Sequence, residues 1–123
     1  MMGHVNNARY LTYFENARTE HLYAEAGVDD LGIIIARAEV DYRSPARWQE
    51  ELVVKMRTVA LGNTSWVYEY EVSSMKDGRT VARGRTVQVA YDYKRKIPIP
   101  IPDRFREKLK REIEETKDPD SSS

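Results

Sequence analysis

The chain has 123 residues, room for one domain with its own core but not for two. Its 20 basic and 20 acidic side chains cancel, which argues against a nucleic-acid or anionic-membrane partner, and with no cysteine there is neither a disulfide framework nor thiolate chemistry. No apolar run is long enough to cross a bilayer or to form the core of a signal peptide, so the cytoplasm is the expected compartment.

Over residues 7–26, Tyr10, Leu11, Phe14, Ala17, His21 and Leu22 recur at steps of three and four, the stripe of a helix with one buried face. Asn6 or Asn7 suits the cap of its first turn, and Gly27 suits a left-handed residue at its end. Residues 33–46 then read as a strand that stops near Ser44, because Pro45 cannot donate to a ladder.

Three more strand-like stretches follow at 51–62, 64–75 and 79–93. They are joined by Gly62-Asn63 and by Lys76-Asp77-Gly78, the chemistry of short hairpin turns, so an antiparallel meander is expected. Within it Trp66, Tyr68, Tyr70 and Val72 alternate with polar or smaller residues, and that aromatic face should cover the helix.

Residues 96–105 carry three prolines and are expected to leave the sheet as an extended connector. Asp103 can cap a last helix to about residue 115. Its narrow stripe of Phe105, Leu109 and Ile113 suggests a helix on the surface or against a neighbour. Residues 1–115 thus read as one domain and 116–123 as a disordered polar tail. One long helix followed by antiparallel strands is an α+β layer arrangement.

The stretch GHVNNARYLTYFENAR, residues 3–18, resembles the hotdog-fold thioesterases of the 4-hydroxybenzoyl-CoA thioesterase type. VDYRSPA (40–46), LGNTS (61–65), VQVAYD (87–92) and RKIPIPIP (95–102) follow in the order that family has. The resemblance implies a long central helix wrapped by an antiparallel sheet of about five strands, four of them visible in this sequence. It also implies homodimers or dimers of dimers that pair through the strand after the helix, and hydrolysis of acyl-CoA without metal or organic cofactor. The family's motif Asp would fall immediately before Met1, so an upstream strand and that Asp are expected to precede the sequence.

Thioester hydrolysis needs donors for the carbonyl oxygen, a carboxylate to activate water and a grip on CoA. The oxyanion-binding amide of the family matches Asn7, at a helix start whose N–H groups lack partners; on composition alone Asn6 and Asn7 would be simple caps. His4 can hydrogen-bond substrate or carry a proton, and plant acyl-carrier-protein thioesterases use the His of a similar His-Val-Asn-Asn string. Glu15, two turns after Asn7, stands where a sister branch keeps its catalytic Glu; the alternatives are an ion pair with Arg18 or Arg9, or a satisfied buried carboxylate.

By the same resemblance Gly3, Val5, Asn6 and Tyr10 should line the substrate's path and Ser65 the pantetheine channel, unless Ser65 is only a turn hydroxyl. Arg83, Arg85, Arg95 and Lys96 are candidates for the CoA phosphates, with Arg43 and Arg47 behind them. Tyr10, Tyr13, Phe14 and Trp66 suit an apolar or aromatic acyl pocket and equally suit a core. Two other functions compete: a hotdog protein that binds acyl-CoA or a partner without turnover, and a hydroxyacyl dehydratase. The second carries a His followed by a Pro-rich, Gly-containing loop, which GHVNNARY is not.

Overall fold

A computed structural model describes residues 7–21, 32–45 and 50–117. The apolar stripe forms helix α1, Asn7–His21, and residues 22–31, which include the expected end of that helix, lie outside the described residues. Strands β1 (Gly32–Tyr42), β2 (Leu52–Leu61), β3 (Ser65–Ser74) and β4 (Thr80–Asp92) follow, then β5 (Ile97–Pro98) and helix α2 (Asp103–Lys117).

The sheet is antiparallel with the order β1-β4-β3-β2, so β2, β3 and β4 make the expected meander and β1 closes on the far side of β4. The hairpin turns sit where Gly and its polar neighbours stand: the Gly62 N–H donates to the Ser65 carbonyl at 2.7 Å, and Gly78 takes φ 73°, open to glycine without strain. Alternation in β3 holds throughout, with Trp66, Tyr68, Tyr70, Val72 and Ser74 buried.

Two expectations need correction. The proline-rich segment does not leave the sheet at once: Ile97 and Pro98 first pair with Asp92 and Tyr91 of β4. Two residues at a sheet margin tolerate a proline because the missing donor faces no ladder partner. Among the described residues the sheet therefore has five strands, the fifth a two-residue one after β4. Helix α2 does not lie loosely on the surface either: Phe105 and Leu109 are fully buried in the same core as Tyr10, Phe14 and Trp66. The indole of Trp66 meets the Phe105 ring edge-on at 5.3 Å, so two buried apolar residues are enough to dock α2 over β2 and against Trp66 of β3.

α1 approaches the sheet closely at one glycine. Phe14 stacks on Tyr70 with ring centroids 4.2 Å apart, and a Cβ at Gly84 on the neighbouring strand would overlap the Phe14 ring. Only hydrogen fits there. That contact fixes which sheet face is inner: Gly84 and its partners Tyr70 and Val40 face α1, and Arg83 and Arg85 face away.

Candidate active site

Asn7 is the first described residue of α1, and the first turn of a helix leaves backbone N–H groups without helical partners, the kind of donor a thioester oxygen needs. Gly3, His4, Val5 and Asn6 lie outside the described residues. Around that end of α1 stand Tyr10, Tyr13 and Tyr42, with Tyr10 edge-on to both of the others at 6.1 and 5.5 Å. Tyr10 is buried, and burial first, then Tyr42, Tyr13 and Glu50, pushes its hydroxyl up, so it stays a neutral phenol.

The Glu50 carboxylate belongs to a cluster that residue patterns did not reveal. Its side chain is 7% exposed, and Arg79 grips it through both nitrogens of the guanidinium fork at 2.9 Å each. Ser74 donates to the same carboxylate at 2.5 Å, and Arg79 also donates to the Pro45 carbonyl at 2.7 Å and to Asp77. The segment after β1, the residues just before β2 and the β3–β4 turn are thereby pinned together at the end of the sheet that carries Tyr42, whose ring meets Tyr10 of α1. A sequence signal existed only for the turn; the partners are 29 residues apart.

A polar track runs under α1 from there. The Arg18 guanidinium donates to the Tyr70 hydroxyl at 3.1 Å, and Tyr70 shares a 2.6 Å hydrogen bond with Thr86. Arg18 is thus not spent on Glu15. Glu15 is exposed on α1 and makes no ion pair or side-chain hydrogen bond among the described residues. One turn beyond Arg18, His21 Nδ1 lies 2.7 Å from the Tyr68 hydroxyl and Nε2 lies 2.7 Å from Glu112 of α2, whose other oxygen accepts from Thr58 at 2.9 Å. Burial pushes the Tyr68 phenol well up, so it is no nucleophile.

The other residues read from the sequence fall in different places. Tyr10, Phe14 and Trp66 are core residues, and Tyr13 is half-buried against that core. Ser65 opens β3, half-buried beside Gly62. Arg83 pairs with Glu71 at 3.3 Å on the outer face, and Arg85 is exposed on that face. Both belong to the side of the sheet opposite α1, where a groove of about 560 Å³ is lined by Arg43, Lys55, Arg57, Glu69, Glu71 and Arg83. Arg95 and Lys96 lie in the turn after β4, where the Asp92 carboxylate accepts from the Lys94 and Arg95 amides and from the Arg95 side chain, and Lys96 adopts φ 58°. Among the described residues no group of three His, Cys, Asp or Glu side chains could hold a metal ion, and no helix is long and apolar enough to cross a membrane.

Comparison with known proteins agrees with this architecture. A thioesterase of Thermus thermophilus, solved with coenzyme A and zinc, is 34% identical with a TM-score of 0.78, over 91% of this chain and 83% of that one. A predicted thioesterase of Bacillus stearothermophilus is 30% identical with a TM-score of 0.80, over 90% and 84%. The long-chain acyl-CoA thioesterase FadM of Escherichia coli K12 is 25% identical over 115 residues, 89% of this chain and 87% of FadM. Residues 1–109 match the family described as the thioesterase-like superfamily, and the antiparallel sheet packed on a central helix is therefore that of a member: this chain belongs to the thioesterase-like superfamily.

Proposed function

We propose that the protein hydrolyses acyl-CoA thioesters to free acid and CoA at the N-terminal end of α1. The observation that carries this reading is that the stretch resembling the thioesterase motif runs into helix α1, described from Asn7 and packed on the sheet. Membership of the superfamily, the coenzyme A bound by the Thermus relative and the acyl-CoA activity named for FadM support the substrate class.

In this reading the thioester oxygen accepts from the Asn7 amide and its neighbour, where the helix dipole favours the growing negative charge. Water attacks the carbonyl carbon, Glu15 takes its proton, and the tetrahedral intermediate collapses with cleavage of the C–S bond. The departing sulfur leaves as the CoA thiol once it is protonated, a step suited to an imidazole such as His4. Because Glu15 is exposed in the single chain, the reading places it toward a second copy paired along β1, an edge strand with Ile34, Ile35 and Tyr42 exposed. Lys96, without an ion-pair partner among the described residues, and Arg95 beside it supply charge-assisted donors to the CoA phosphates.

The test is thiol release from short-chain, long-chain and aromatic acyl-CoAs by the purified protein. Turnover of at least one of them is expected. Retained binding of CoA with no thiol released from any of them would replace hydrolysis with acyl-CoA binding alone.

A further inference from the structure

Tyr42 is the last residue of β1, and because Val40 two positions earlier faces α1, the Tyr42 ring belongs to the same face of the sheet. It meets Tyr10 of α1 edge-on at 5.5 Å. Tyr10 is 1% exposed and Tyr42 51%, so the rest of the Tyr42 ring forms surface beside the N-terminal end of the helix.

The backbone that carries this ring is held along its length. Tyr42 pairs with Ala82 of β4, and the Arg43 and Ser44 amides both donate to the Val81 carbonyl, at 2.9 and 3.1 Å. The Ser44 hydroxyl donates to the Thr80 carbonyl at 2.9 Å, and Arg79 donates to the Pro45 carbonyl at 2.7 Å. None of these contacts engages the phenol: the Tyr42 hydroxyl makes no hydrogen bond among the described residues. A large ring on a fixed backbone, open to solvent beside the helix end that offers amide donors, is built as the wall of a binding site.

We propose that the Tyr42 ring is a wall of the acyl site and selects straight acyl groups over those branched beside the carbonyl. This rests on the reading that the thioester is held at the N-terminal end of α1. Tyr10 lies three residues after Asn7, roughly 5 Å along the helix axis, so the ring against it borders the first carbons of the acyl group rather than its far end. The CoA half of the substrate fits less well there. Its phosphates need cations and its pantetheine amides need polar partners, whereas the ring that Tyr42 touches is itself backed by the ring of Tyr13. A wall held in this way cannot withdraw when a branch on the carbon beside the carbonyl turns toward it, and a single carbon gained or lost against an apolar wall changes the rate by about tenfold or more. Pairing of a second copy along β1 engages the backbone edge of the strand, not this face of the ring.

Butyryl-CoA and isobutyryl-CoA, which contain the same atoms and differ only in branching, test the wall by the ratio of their kcat/KM values. The intrinsic reactivities of the two thioesters cancel when that ratio is compared between variants. Tyr42→Ala should lower the preference for butyryl at least about fivefold, Tyr42→Trp should raise it, and Tyr42→Phe should leave it within about twofold, because the ring and not the hydroxyl is the wall. A residue that only supports the fold would change both rates together and leave the ratio level. The same ratio can be read by calorimetry as affinities for the two CoA ketones that carry a methylene between sulfur and carbonyl and cannot be hydrolysed. The rates decide where thiol is released, and the affinities where it is not. Shifted affinities without thiol release from any acyl-CoA would uphold the wall and overturn hydrolysis. A ratio that stays level in the Ala and Trp variants overturns the proposal, as does failure of the wild type to bind either ketone. Should the Ala variant not fold, the Trp and Phe variants decide alone. A particle mass that halves in Tyr42→Ala, read by light scattering, would assign the ring to a contact between copies and likewise overturn the proposal.

Discussion

His21 and Glu112 stand 91 positions apart in the chain and 2.7 Å apart in space, and their contact ties the central helix to the C-terminal one. Burial works to raise the Glu112 carboxyl, but the His21 hydrogen bond and charge, with the Thr58 hydroxyl, hold it below the ordinary carboxylate range. A depressed carboxyl contributes stability that is present above the unfolded value, near 4.5, and is lost as pH falls through the folded value. Glu112→Ala should therefore lower the melting temperature by roughly 5–10 °C at pH 7, for a loss of about 2 kcal/mol. The gap to wild type should narrow as the pH drops below about 4.5, where the unfolded carboxyl is itself protonated. Calorimetric melts of both proteins from pH 7 down to pH 3 check this; a gap that does not change with pH would mean that the contact stabilises by packing alone.

Phe14 over Gly84 makes a second prediction about stability. Gly84→Ala should cost about 2 kcal/mol, because the added methyl meets an aromatic ring wedged against Tyr70. Pairing it with Phe14→Leu should recover part of the loss, a negative coupling readable by denaturant unfolding of the two single variants and the double. Additive losses would show that the strand, not the ring, resists the methyl.

Arg79 is expected to behave as a hub rather than as one half of a surface pair. It binds Glu50, Asp77 and the Pro45 carbonyl at once, and Lys has a single point charge where this geometry uses a fork. Arg79→Ala should melt well below wild type, and Arg79→Lys should recover less than half of that difference. Asp77→Ala, which removes only the exposed partner, should change the melt little. Equal melts for the Lys variant and the wild type would reduce the cluster to simple charge attraction.

At Lys96 stability and the proposed phosphate grip pull in opposite directions. A non-glycine residue at φ 58° is strained, so Lys96→Gly should stabilise the fold, or leave it level, by up to about 1 kcal/mol. The same change removes a cation beside the proposed CoA phosphates and should raise KM several-fold with little change in kcat. KM unchanged under that substitution would take Lys96 out of substrate binding.

For the proposed chemistry, Glu15→Gln should remove most turnover while preserving the melting temperature, since the side chain is exposed and makes no side-chain hydrogen bond or ion pair among the described residues. A rate near that of wild type would exclude Glu15 as the base.

The sequence made legible whatever depends on local periodicity. The steps from Tyr10 to Phe14 and Ala17 marked the buried face of α1, and the alternation from Trp66 to Val72 marked the inner face of β3, because helix and strand geometry impose those periods directly. Gly78 could be read as a turn from its neighbours alone. The polar contacts could not be. Arg18 to Tyr70, Glu50 to Arg79 and His21 to Glu112 join residues 52, 29 and 91 apart, and nothing in a one-dimensional pattern says which cation a carboxylate will meet. Helix α2 was underestimated for a related reason: Phe105 and Leu109 make a narrow stripe, but Trp66 completes the surface that receives it. The functional reading rested on the motif at residues 3–18, whose first four residues lie outside those described.

The position of β1 bears on how the molecule comes to be folded. β1 pairs with β4, so Gly32 meets Tyr91 and Tyr42 meets Ala82, across separations of 40 to 59 residues, whereas β2, β3 and β4 are linked by tight turns. Closing long loops is slow compared with zipping hairpins. The meander is therefore the natural nucleus, and α1 and β1, although they leave the ribosome before it, must wait for β4 before they find their places. During synthesis the Ile33–Ile35 run stays without a ladder until some sixty further residues have been made, which makes the first third of the chain the stretch most in need of protection while the protein is born.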